Sequence, residues 1–147
     1  MTRNEITQIA YSLIGIPYVH QGRSDKGIDC VGLLAIIAQR LNYPHTDLES
    51  YRRTPSATKL IELLRENLDE IDLNEVDVGD IFLMKLGGTK PRHTAILASN
   101  ATDFERGLQP TIIHALNSIS IQSVVEQPLS IYRGQLVKGF RFRGLQP

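Results

Sequence analysis

A single cysteine, Cys30, stands among the 147 residues, so no internal disulfide can staple the chain, and folding in a reducing compartment is the expectation. Charge of one sign is not in excess either: 16 Lys and Arg face 16 Asp and Glu. Nothing global would draw such a chain to nucleic acid or to an anionic membrane. No apolar run nears the roughly twenty residues that a membrane span needs. The opening stretch MTRNEITQIAYSLIGIPY also lacks the unbroken apolar core and small-residue cleavage site of a secretion signal. Cytoplasmic synthesis is therefore expected, with any release by lysis or in a phage particle. Low-complexity tracts, repeats and linkers are missing too, and residues 1–147 read as one domain with one core. No Cys-x-x-Cys or His-x-x-x-His pair occurs, so neither a metal site nor a cofactor is expected.

What is there divides into two textures. Thr2 and Glu5 have capping-box spacing, and Ile6, Ile9, Ala10, Leu13 and Ile14 follow a helical period until Gly15. After a loop from Gly15 to Gly27, residues 31–41 are apolar on nearly every side, leaving only Gln39 and Arg40 for water, so this helix belongs in the core. Thr54 and Pro55 predict the start of a third helix running to Leu68, with Leu60, Ile61, Leu63 and Leu64 on its buried stripe. From Val76 onward the chain turns to short strand-like runs: residues 80–86, HTAILAS from His93, TIIHALN from Thr111, ISIQSVV from Ile119 and QLVKGFRFR from Gln135. Gly87, Gly88, Lys90 and Pro91 mark a hairpin connection, and residues 100–110 a surface loop taken as inert. Helices first and strands afterward argue for an α+β fold, with a buried central helix packed on an antiparallel sheet of about five to six strands. In the last run Phe140 and Phe142 are expected to face inward, leaving Arg133, Lys138, Arg141 and Arg143 to solvent.

Asp29 is the natural N-cap of the apolar helix, which puts Cys30 in its first turn. Unpaired amides and the positive end of the helix dipole there favour thiolate over thiol. A lone cysteine is more often a small buried hydrophobe, so the placement alone does not make a nucleophile. A nucleophilic thiol needs a base, usually a histidine, oriented by a third group. Of the four histidines, His20 and His45 read as loop residues. His93 opens a strand after a Pro-containing turn, and His114 shares a strand face with Ile112, where a buried imidazole needs a partner.

The run GIPYVHQGRSDKGIDCVGLL resembles the active-site segment of the NlpC-type cysteine peptidases, papain-like cell-wall hydrolases of bacteria and phages. Gly15, Pro17, Tyr18, Gly22, Gly27, Asp29, Cys30, Gly32 and Leu33 match in register, and VGDIFLM, HTAIL and IIHA follow in the family's order. The resemblance implies a papain-like fold with Cys30 as nucleophile, His93 as general base and acid, and His114 as the residue orienting the imidazole. It implies that Tyr18 lines the oxyanion site, and that Asp29 fixes the helix and meets the polar end of the substrate. The implied substrate is the peptidoglycan stem peptide, cut typically between D-glutamate and a diamino acid. Lacking a wall-binding module, the chain is expected to be phage tail or particle associated, with tail proteins as further partners. Val31 stands where many relatives have Ser, and Gln21 replaces one Gly of a pair, which alters the expected contacts to the substrate's amino end. A silent tail- or wall-binding module and a thiol acyltransferase are the alternatives.

Overall fold

The computed structural model describes residues 1–48, 50–51 and 55–146. Helix α1 spans Arg3–Ser12 and begins as its sequence predicts: Thr2 accepts from the Glu5 amide at 3.1 Å, and the Glu5 carboxylate accepts from the Thr2 amide at 3.1 Å. The segment read as a loop contains a small antiparallel ribbon, β1 (Arg23–Ser24) with β2 (Gly27–Ile28), too short and polar to show a period of two. Helix α2 spans Cys30–Arg40, and its Leu33, Ile36 and Ile37 are buried while Gln39 and Arg40 reach water.

Helix α3 (Ala57–Asn67) starts later than expected. Ser56 is its N-cap and accepts from the Lys59 amide at 3.1 Å, so Pro55 precedes the cap instead of opening the helix; Thr54 lies outside the described residues. Leu60, Leu63, Leu64 and Leu68 form the buried stripe, with Ile61 partly covered.

The strands are β3 (Asp69–Ile71), β4 (Ile81–Met84), β5 (His93–Ser99), β6 (Thr111–Asn117), β7 (Gln122–Pro128) and β8 (Leu136–Arg141). They form one six-stranded sheet in the order β3-β8-β4-β5-β6-β7, every pairing antiparallel. Short 3-10 turns at Leu73–Glu75 and Leu129–Gln135 complete the chain. Strand β3 is the one the sequence hides, a three-residue Asp-Glu-Ile with no apolar alternation, yet it pairs with β8 at Asp69↔Arg141. The outer edge of β7 is covered by residues 15–18, through Gly15 N to Val124 O, Val124 N to Ile16 O and Tyr18 N to Gln122 O, each 2.9 Å.

Two apolar clusters hold these layers. The main one joins α1, α2 and α3 to one sheet face through Ile6, Leu33, Ile37, Leu64, Ile96 and Ile113. The second occupies the other face, where Phe82, Met84, Ala95, Leu97 and Ile112 pack under Leu129 and Tyr132. Phe140 and Phe142 face the main core as expected, but the neighbouring arginines are not simply solvated. Arg143 donates to the carbonyls of Arg65, Glu66 and Leu68 at 3.0–3.1 Å, satisfying the end of α3. Arg141 and Arg3 grip the buried Asp80 at 2.8 and 3.1 Å, locking the sheet to α1.

Asp80 is 1% exposed and also accepts from the Asp77 amide at 2.9 Å. Its removal would leave two arginines facing each other across a partly wet site. Asp80→Ala is expected to cost about 2–4 kcal/mol in urea denaturation, less than a fully buried pair would because both guanidinium groups reach solvent. Glu105→Ala, on the exposed loop, is expected to stay within about 0.5 kcal/mol.

Candidate active site

The first turn of α2 is built around one carboxylate. Asp29, 1% exposed, accepts from Gly32 N at 2.8 Å, Gln21 N at 2.9 Å, Arg23 Nη1 at 3.0 Å and the Tyr51 hydroxyl. Arg23 in turn donates from Nε to Asp47 at 2.7 Å and from Nη2 to the Tyr51 oxygen at 2.9 Å. Glycine is required where these segments meet: a Cβ on Gly32 would lie 2.2 Å from the Gly22 carbonyl oxygen. The arm carrying residues 21–28 thus lies directly on the turn that carries the sulfur.

Cys30, 3% exposed, opens α2 as the sequence predicts. Its Sγ lies 3.9 Å from the Arg92 carbonyl oxygen, and the Thr94 hydroxyl donates to the Cys30 carbonyl at 3.1 Å. The residues on either side of His93 therefore both touch Cys30. Tyr18, half-buried, lies near enough that its phenol is pushed above its ordinary value, by burial first and then by the charges of Cys30 and Asp29. Its hydroxyl therefore stays protonated at neutral pH.

The expected thiolate is not the resting state. Burial, and after it the negative charge of Asp29, push the Cys30 thiol up to about 12, against hydrogen bonds from the Thr94 and Val31 amides and the Thr94 hydroxyl that act the other way. The helix amides favour the anion, but the desolvation of a buried sulfur and the charge of its capping neighbour Asp29 outweigh them.

His93 (6% exposed) and His114 (0%) come together, with His93 Nε2 2.8 Å from His114 Nδ1. Strand register explains this: Met84↔His93 and Phe82↔Ala95 pair on the face of the second cluster, and His114 alternates onto that face with Ile112. Burial, then His114, push His93 down to about 3, and burial also lowers His114, opposed by its hydrogen bond to Gln127. Both rings are neutral. Among the described residues no hydrogen bond joins Sγ to His93; thiol and imidazole approach the start of β5 from different faces of the sheet.

Four partners escaped the sequence. Gln127 and Tyr132 hold the far side of His114, and Arg23 with Tyr51 hold Asp29. Gln127 could have been found from strand pairing, since Ile112↔Gln127 makes it the diagonal neighbour of His114. His20 bonds the Tyr51 carbonyl at 2.9 Å and His45 the Tyr43 carbonyl at 2.8 Å, both away from the imidazole pair. Among the described residues no group of His, Cys, Asp and Glu could hold a metal ion, and no helix is long and apolar enough to cross a membrane.

The sequence pattern of NlpC/P60 matches residues 15–133, which takes in Tyr18, Cys30, His93 and His114. The chain belongs to the NlpC/P60 family. Members of this family are cysteine-type peptidoglycan hydrolases, which gives the enzyme class. No curated protein matches the chain. Among solved structures it is similar to the NlpC/P60 domain of the peptidoglycan hydrolase SagA, with 18% identity, a TM-score of 0.67, and 97% of this chain and 100% of that one covered. It is also similar to an NlpC/P60 family protein of Bacillus cereus (19%, TM-score 0.68, 97% of this chain, 40% of the other). A third is the peptidoglycan hydrolase RipB of Mycobacterium tuberculosis (19%, TM-score 0.60, 95% and 63%). The chain spans less than two thirds of the last two proteins, and at these identities the likeness establishes the NlpC/P60 fold, papain-like and α+β.

The imidazole pair makes stability fall in acid. An unfolded histidine takes a proton near pH 6.5, whereas folded His93 resists until about pH 3, so the unfolded chain binds more protons throughout that window. Stability is thus fully present above pH 6.5 and declines below it, by at most about 1.4 kcal/mol per pH unit for each imidazole. The urea midpoint is expected to drop between pH 6.5 and 5, above most carboxylate titration, and His114→Asn to shrink the slope. A flat midpoint over that range would show that the rings accept protons within the fold.

Proposed function

We propose that this NlpC/P60 protein hydrolyses an amide bond in peptidoglycan stem peptides, with Cys30 as nucleophile, His93 as proton acceptor and donor, and His114 as the residue that orients His93. The observation that carries the reading is the convergence at one strand end. The sulfur of Cys30 lies against Arg92 and Thr94, while His93, between them, is held by His114 at 2.8 Å.

The resting site is thiol and neutral imidazole. Substrate binding closes the remaining gap, as is usual where catalytic hydrogen bonds tighten only in the complex. The S–H proton then passes to the His93 nitrogen not bound to His114, and sulfur attacks the amide carbon. Electrons move onto the carbonyl oxygen, where amides at the start of α2 and the Tyr18 hydroxyl are donors. The imidazolium returns the proton to the leaving nitrogen as the C–N bond breaks, and water releases the thioester.

Asp29 enters this scheme as the anchor of the helix, because its carboxylate is already occupied by donors inside the protein. Beside His93 a recess of about 450 Å³ is lined by Leu86, Gly88, Thr89, Lys90 and Arg92. Lys90 and Arg92 make no ion pair among the described residues, so the recess offers two positive charges to an acidic peptide such as one bearing D-glutamate. An acyltransferase would need a groove for a lipid chain. The apolar crevice between α2 and α3, lined by Val31, Leu34, Leu60 and Phe142, encloses about 40 Å³, space for a few waters.

Purified protein incubated with muropeptides is expected to release new primary amine, seen by mass spectrometry of the products. Cys30→Ala is expected to lower that rate by about 10³-fold or more while keeping the circular dichroism of the parent. A wild-type protein that cleaves no stem peptide would favour the silent binding module.

A further inference from the structure

Beyond the pair of histidines, a polar chain continues through the second apolar cluster. His114 Nε2 lies 2.7 Å from Gln127 Oε1, and the Tyr132 hydroxyl donates to the same oxygen at 2.6 Å. The Tyr132 ring also packs edge-on against His114, with centroids 5.3 Å apart and planes at 76°. Two ring-side groups thus converge on the amide oxygen, and an amide oxygen only accepts.

That one polarity dictates every proton further along. His114 Nε2 must carry hydrogen to donate to Gln127. A neutral imidazole has one N–H, so His114 Nδ1 is bare and accepts from His93. His93 Nε2 is then the protonated nitrogen, and His93 Nδ1 is left with its lone pair. With the amide turned over, Gln127 Nε2 would donate to His114, the sequence of donors would reverse, and His93 Nδ1 would hold a hydrogen and could take none from a thiol. Burial of both rings keeps them neutral, so the direction is not blurred by a third proton.

We propose that Gln127, clamped by Tyr132, is a positioning residue that sets the tautomers of His114 and His93 so that His93 Nδ1 is free to receive the Cys30 proton. The proposal rests on the peptidase reading for its catalytic consequence, but the tautomers themselves exist without substrate. When the S–H bond breaks and the Nδ1–H bond forms, the positive charge on His93 meets acceptors in line: His114 Nδ1 faces His93 Nε2, and the Gln127 oxygen faces His114 Nε2. The chain therefore stabilises the imidazolium as well as preparing the neutral base.

The test uses protein labelled with 15N-histidine, whose long-range proton correlations at pH 7.5 show which ring nitrogen carries hydrogen. Wild type is expected to show Nε2–H on both His93 and His114. In Gln127→Leu the His114 pattern is expected to shift toward Nδ1–H, with Nδ1–H gained at His93. On a muropeptide that variant is expected to lose about 10- to 100-fold in kcat with KM within about twofold, the range seen when a partner behind a reacting ligand is removed. Gln127→Glu, which restores an acceptor, is expected to recover the Nε2–H pattern and most of kcat. Should Gln127→Leu fail to fold by circular dichroism, Tyr132→Phe releases the amide and is expected to show mixed tautomers at both rings. Nδ1–H on His93 in wild type, unchanged tautomers in Gln127→Leu or its stand-in, or no recovery in Gln127→Glu would each overturn the proposal. A wild-type enzyme that shows the expected tautomers yet cleaves no muropeptide would sink the peptidase reading and leave the proton arrangement standing.

Discussion

The site depends on the Asp29 carboxylate more than on any other group. It caps the start of α2, and it ties together the arm at Gln21 and Arg23, the first helical turn at Gly32 and the phenol of Tyr51. A helix start attracts negative charge. Here that attraction is already met by the carboxylate, and burial first, then this carboxylate one residue away, disfavour a second anion at Cys30. The device that positions the sulfur thus also helps to keep it protonated, and in the proposed function reactivity falls to the imidazole that removes the proton. Tyr51 is held neutral by burial first and by Asp29 second, so it remains a donor to that carboxylate.

The histidines meet the same constraint from the other side of the sheet. An imidazole among Phe82, Met84 and Ile112 has no water to solvate a charge, so neutrality is its resting form and every ring nitrogen that faces protein needs a partner. Among the described residues no buried side-chain nitrogen or oxygen lacks one. A neutral imidazole and a neutral thiol can coexist in an apolar setting; in the proposed function their ion pair is created during the reaction and stabilised by dipoles already aligned. This explains why His93 is backed by the fully buried His114, whose far side is held in turn by the half-buried Gln127 and by Tyr132.

How much of this was legible follows from where each signal resides. The α1 cap, the apolar α2 and the Asp29–Cys30 junction are local, and spacing reveals them. The four long strands carry apolar runs of ordinary length. Strand β3 carries none: Asp69 and Glu70 face water, and pairing with β8 alone makes it a strand. The arginines at the C-terminal end had the right periodicity for solvent, but their partners, Asp80 and the last carbonyls of α3, are more than 60 positions away in sequence. Gln127 is only 13 positions from His114, but a glutamine before a proline has no chemical signature until β6 and β7 are laid side by side.

The departures from the family pattern become intelligible in these terms. Gln21 has φ of 59°, the left-handed region where a glycine is most at ease, and a side chain there costs roughly 1 kcal/mol. What the glutamine gains is a bond from its amide to the Tyr51 carbonyl, beside the Tyr51 hydroxyl that already holds Asp29. Val31, where relatives have Ser, is buried in the main cluster and lines the crevice toward α3, so it serves packing. Gly22, Gly32, Gln21 and Asp29 bring three segments of backbone within contact distance of one carboxylate. Much of the segment from Gly15 to Leu33 is therefore an instruction for placing a sulfur, and in the proposed function the proton chemistry belongs to His93 and His114, on strands outside that segment.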